Sequence, residues 1–151
     1  MQEVYTMKEI NEILENVYLP VLENGKDPIL LIAAYITGGE EKYITRKRDA
    51  RDLITSVSRK DIVLSLLTEY LDNLRTIPAE NYEKNKTAVL LSSIIRKEDS
   101  SAQLIDRLSD YLISGQTAYV TAAAHAGKEA LSLNSMDIVS ELVRWHFEKT
   151  L

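Results

Sequence analysis

Tyr43-Ile44-Thr45-Arg46-Lys47-Arg48-Asp49-Ala50-Arg51-Asp52-Leu53-Ile54 is the densest run of positive charge in a chain of 151 residues that is otherwise acidic, with 18 basic and 23 acidic side chains. It directly follows Gly38-Gly39, a break that ends whatever precedes it and opens a new element. Thr45 stands where an N-cap is expected, which predicts a helix from there to about Val57. The same frame returns at a constant offset of 76 residues, from Tyr119 to Ala130, where almost every charge is gone.

The offset holds well beyond this stretch. Ile29, Tyr35, Gly39, Tyr43, Thr45 and Ala50 match Ile105, Tyr111, Gly115, Tyr119, Thr121 and Ala126. Asp61-Ile62-Val63 and Leu66 match Asp137-Ile138-Val139 and Leu142, and the helix start Ser58-x-x-Asp61 becomes Asn134-x-x-Asp137. Apolar matches alone would carry little, since all helices share a period. Glycine, tyrosine, threonine and cap positions aligned without an insertion point instead to a duplication. Units of this size rarely bury their apolar faces alone. Two copies therefore predict an all-α fold in which the halves pack about a pseudo-two-fold axis, a dimer written into one chain. The first unit spans 7–74, the second 84–150, and a linker covers 75–83, where Pro78 disfavours helix at Ile77.

Local signals fill in the first unit. Ile10, Ile13, Leu14, Val17, Tyr18, Val21 and Leu22 recur at helical spacing between Met7 and Asn24. Pro20 is expected to kink that helix, and Gly25 to cap it in the left-handed conformation. Asp27-Pro28 reads as N-cap and first helical position. The helix that follows is apolar on nearly every side, which makes it central and buried. Ser58 with Asp61 starts another, carrying Ile62, Val63, Leu66, Leu67, Tyr70, Leu71 and Leu74 on one stripe.

Composition narrows the function classes. Cysteine is absent, which removes disulfides, thiolate metal sites and Cys nucleophiles. No apolar run approaches the ~20 residues of a membrane span, and the N-terminus lacks signal-peptide patterning, so a soluble cytoplasmic protein is expected. A net charge of −5 speaks against general nucleic-acid binding. His125 and His146 have no spaced partners resembling a metal set. No phosphate loop or nucleophile elbow is present. No catalytic residue, metal or cofactor is expected.

The first half resembles the IreB family of small regulatory phosphoproteins. Lys8-Glu9-Ile10, Val17-Tyr18, Asn24-Gly25, Asp27-Pro28-Ile29 and Tyr35-Ile36-Thr37-Gly38 carry the resemblance. It continues through Tyr43-Ile44-Thr45-Arg46, Ala50-Arg51, Ile54, Arg59-Lys60-Asp61-Ile62-Val63 and Tyr70-Leu71. The second half is similar mainly through Tyr111 to Gly115, Tyr119-Val120 and Asp137-Ile138-Val139, as a diverged copy. The resemblance implies a non-enzymatic helical protein that self-associates, is phosphorylated on threonines near the N-terminus and acts downstream of a membrane serine/threonine kinase. The Thr-rich leader of that family has no counterpart here, so Thr6 is the one phosphorylation candidate. Fusion of two units gives either a monomer with an internal pseudo-dimer or a weak homodimer.

The candidate partner- or anion-binding residues are Tyr43, Arg46, Lys47, Arg48 and Arg51. On a helix starting at Thr45, Lys47 or Arg48 would share a face with Arg51, and guanidinium forks near a helix N-terminus suit phosphate or carboxylate. Alternatively the arginines are a solvated charged face, or pair with acids of the other half. A further alternative is a nucleic-acid-associated protein using 46–60, with Arg59 and Lys60 at the start of a helix-turn-helix reading helix. Its remainder is apolar or acidic, which weighs against DNA.

Overall fold

Asp27 Oδ1 accepts hydrogen bonds from the Ile29 and Leu30 N–H groups at 3.0 and 3.3 Å, and Pro28 fills the first helical position behind it. Such short-range rules build most of the fold, seen in a computed structural model that describes residues 5–97, 102–116 and 134–151. Helix α1 (Met7–Glu23) starts on a capping box, with Thr6 and Glu9 each satisfying the other's backbone N–H. It buries Ile10, Leu14, Val17, Pro20 and Val21. Helix α1 continues through Pro20, which stands in its last turn. Having no N–H, the proline leaves one ladder bond, to the Asn16 carbonyl, unmade. Gly25 is left-handed at φ 78°, as a helix end there requires.

Helix α2 (Pro28–Gly38) buries Ile32, Ala33, Tyr35 and Ile36, leaving Leu30 exposed at its start. Gly39 ends it at φ 76°, its N–H donating to the Tyr35 carbonyl at 2.7 Å. A 3-10 turn follows at Glu41–Tyr43. The helix expected from Thr45 does not begin there: Lys47–Asp49 is a second 3-10 turn, in which Arg48 and Asp49 both take positive φ, at 52° and 59°. Ile44 and Ala50, both fully buried, pin the chain on either side of this turn. An α-helical path between them loses to that long-range constraint. Helix α3 is therefore short, Ala50–Thr55.

Ser58 caps α4 (Arg59–Thr76), its hydroxyl accepting from the Asp61 N–H at 3.1 Å. Pro78 and a 3-10 turn at Ala79–Asn81 lead into α5 (Lys86–Lys97), α6 (Ala102–Ser114) and α7 (Ser135–Glu148). The described residues are helical, with no strand among them.

Helices of both halves share one core. α2 packs against α7, α4 against α6, and α4 and α7 against each other. Tyr70 is wholly buried and meets Trp145 edge-on, ring centroids 5.6 Å apart. Phe147 meets Tyr18 at 4.4 Å. Full burial of a side chain such as Leu66 or Leu67 contributes roughly 1.5–3 kcal/mol each. Some positions 76 residues apart share geometry. Gly39 and Gly115 are both left-handed, each donating to a buried tyrosine carbonyl at 2.7 Å. Ser58 and Asn134 both cap with an acceptor aimed at the N–H of an aspartate three residues on. The counterpart frame from Tyr119 to Ala130, with Thr121, His125 and Ala126, lies outside the described residues.

Candidate functional site

The turn at 45–49 exists because two of its neighbours need their backbone held. Arg51 folds back so that its Nε donates to the Ile44 carbonyl at 2.9 Å, and its backbone N–H donates to the Thr45 carbonyl at 3.1 Å. The Lys47 N–H donates to Thr45 Oγ1 at 3.3 Å, so Thr45 is a turn residue rather than a helix cap. Left-handed backbone at an arginine and an aspartate stores of order 1–3 kcal/mol each, which the buried Ile44 and Ala50 must outweigh.

This turn forms one wall of a cleft of about 490 Å³. The end of α1 supplies Val21 and Asn24, the α1–α2 connection Lys26, and α2 Leu31. Lys42, Tyr43, Thr45, Arg46 and Arg51 complete it. Four cations thus surround one cavity, and among the described residues no carboxylate lines it. Among the described residues no acid lies within salt-bridge distance of Lys26, Arg46 or Arg51; Lys42 alone reaches one, Glu40 at 2.9 Å, outside the cleft lining. Like charges gathered this way repel one another, and an anion among them relieves the repulsion. Arg51 keeps its terminal nitrogens for such a ligand, since its bond to Ile44 uses Nε.

Of the five candidates named from sequence, Tyr43, Arg46 and Arg51 line this cleft, whereas Lys47 and Arg48 do not. Arg48 turns to Glu23 on α1 at 2.9 Å, because its left-handed backbone directs the side chain away. The shared helical face expected for Lys47 or Arg48 with Arg51 is therefore absent, there being no α-helix at 47–49. Lys26 and Lys42 were missed. They come from separate connections, and nothing in their local spacing ties them to Arg46.

The two cations of the alternative reading are engaged inside the fold. Arg59 Nη1 donates to the Ile36 carbonyl at 2.8 Å, and the guanidinium lies against Gly39. Lys60 Nζ sits 2.9 Å from Asp106 and 3.2 Å from Asp110 on α6. His146 is buried against Glu69, Nδ1 to Oε2 3.2 Å, and Lys149 also reaches Glu69. Among the described residues no three His, Cys, Asp or Glu side chains gather as a metal site. Nor is any helix there long and apolar enough to cross a membrane. Thr6 is exposed, its hydroxyl 3.0 Å from Glu9 Oε1 and 3.1 Å from the Glu9 N–H it accepts.

Comparison with known proteins falls on the half that holds the cleft. The profile of a family described as IreB regulatory phosphoprotein matches residues 2–72. A UPF0297 protein of Lachnoclostridium phytofermentans is 39% identical over 64 residues, which cover 42% of this chain and 73% of the relative. No solved structure matches.

Proposed function

The chain belongs to the IreB family, and from that premise we propose a non-enzymatic regulatory protein that acts by binding a protein partner through the cleft beside Arg46 and Arg51. The occupant is an acidic or phosphorylated segment of the partner. A single observation carries this reading: among the described residues, four cations and no carboxylate line one cavity. Charge complementarity of this kind chiefly sets partner choice and association rate. In the same reading, residues 7–74 and 84–150 are two units joined by 75–83, and a serine/threonine kinase acting on the exposed Thr6 supplies the regulatory input. A cytoplasmic location fits such a kinase substrate.

Lys42→Ala with Arg46→Ala is the test pair, because both side chains are exposed and neither bonds to the core. Wild type and variant serve as baits for affinity capture, with thermal melts run in parallel. The partner retained by wild type should be lost from the variant at an unchanged Tm. Equal retention by both baits overturns the reading.

A further inference from the structure

We propose that the interface between the halves is self-sorting: its polar contacts fit the first unit to the second and reject a first unit from another copy of the chain. The proposal rests on the repeat and does not depend on the cleft. At an offset of 76, the packing of α2 on α7 is the exchange partner of the packing of α6 on α4. Contact between Tyr70 and Trp145 likewise exchanges with that between His146 and Glu69. Reciprocal contacts of this kind are what a two-fold axis produces. The chemistry on the two sides is not the same, however, and the differences are matched.

On one side Lys60 is held by Asp106 and Asp110 at 2.9 and 3.2 Å. One repeat away, Met136 takes the place of Lys60, and Leu30 and Ala34 take the places of the two aspartates. Met136 there packs on the core, its sulfur 3.6 Å from the Thr37 hydroxyl. A charged triad on one side thus answers an apolar set on the other. Glu69 repeats the pattern. It faces His146 and Lys149, whose equivalents in the first unit are Tyr70 and Asn73.

Pairing two first units would therefore set Lys60 against Leu30 and Ala34, and would strip Glu69 of the Lys149 ammonium and of its imidazole partner His146. Pairing two second units would set Met136 against Asp106 and Asp110. Unpaired charge at a packed interface is the standard device for rejecting a wrong partner. Covalent linkage adds a high effective concentration in favour of the intramolecular pair. The first unit carries the cationic turn, whereas Ala122-Ala123-Ala124-His125 replaces Arg46-Lys47-Arg48-Asp49 in the second. Sorting therefore yields a particle with one cationic turn, where a pair of first units would display two.

Charge exchange across the triad tests the idea in full-length protein. Lys60→Asp alone, and Asp106→Lys with Asp110→Lys, each place like charges together within the chain. Each should melt about 5 °C below wild type, as a loss of ~2 kcal/mol implies for a chain of this size. Refolded together, the two should form a 1:1 heterodimer by native mass spectrometry, in which each first unit finds the complementary second unit, with Tm restored. All three substitutions in one chain should give a monomer of 17.1 kDa with the wild-type Tm, and this variant decides the matter if the one-sided chains do not fold. Co-refolded chains that remain separate monomers, or a triple variant that stays destabilised, would each overturn the proposal.

Discussion

Arg59, at the start of α4, donates to the carbonyl of Ile36, in the last turn of α2, at 2.8 Å, while its guanidinium covers Gly39 so closely that a Cβ there would stand 3.0 Å from Cζ. One side chain thus satisfies an orphan carbonyl of a helix C-terminus and sets the angle between two helices. Replacing Arg59 with alanine should cost about 2 kcal/mol, the scale of a charged hydrogen bond to a half-buried acceptor. Lysine should not rescue it, since an ammonium cannot lie flat on the glycine. Urea denaturation of the three proteins checks this. A variant as stable as wild type would mean that Arg59 is free for another role.

Thr6 closes a reciprocal cap with Glu9, so Thr6→Ala should lower stability by about 1 kcal/mol. Thr6→Ser should lose far less, because the hydroxyl is retained. Phosphorylation would place a dianion beside the Glu9 carboxylate, 3.0 Å from the present hydroxyl. The helix N-terminus favours that charge while Glu9 opposes it. Hydrogen exchange in the first turn of α1 should therefore rise on phosphorylation of wild type, and rise less in Glu9→Gln.

Burial holds His146 below its ordinary range, with Glu69 pulling the other way and Lys149 adding to the depression. Glu15 of α1 also faces it with a weaker upward pull, and the Phe147 ring stands edge-on. An imidazole whose folded pKa is depressed stabilises the fold above its unfolded value, near 6.5, and loses that contribution as pH falls toward the folded value. Burial pushes the Glu69 carboxyl up, but the Lys149 ammonium and His146 outweigh it and bring it below its usual 4.5, so Glu69 stays ionised through this window. Denaturation midpoints should fall between pH 7.5 and 5.5 for wild type and stay nearly flat for His146→Gln. Parallel profiles would assign the acid sensitivity elsewhere.

How much of this was legible in the residues depended on range. Asp27-Pro28, Ser58, Gly25 and the Gly38-Gly39 break act within a turn of themselves, so they read correctly. The turn at 46–49 did not, because Arg, Lys and Ala are good helix formers and nothing local declares left-handed backbone there. What selects it is the burial of Ile44 and Ala50 and the return of Arg51 to the Ile44 carbonyl. Lys26 and Lys42 joined the cleft only through the packing of α1, α2 and the turn. Arg59 looked like a surface cation for the same reason: its acceptor lies 23 residues back in the chain.

The turn itself allows structure and binding to be separated. Arg48 sits at φ 52° with its side chain turned to Glu23, an exposed pair of small energetic value. Arg48→Gly should relieve the backbone and leave the cleft lining intact, raising stability by up to ~1 kcal/mol with partner capture unchanged. Arg51→Ala should do the opposite on both counts, removing the bond to Ile44 and a cleft cation together. Melting curves and capture assays on the two variants give four readings, and the assignment requires them to diverge. Loss of capture in Arg48→Gly would move the binding surface from the cleft to the outer face of the turn, toward Glu23. Retention of capture in Arg51→Ala, with only its stability lowered, would make that arginine a structural brace alone.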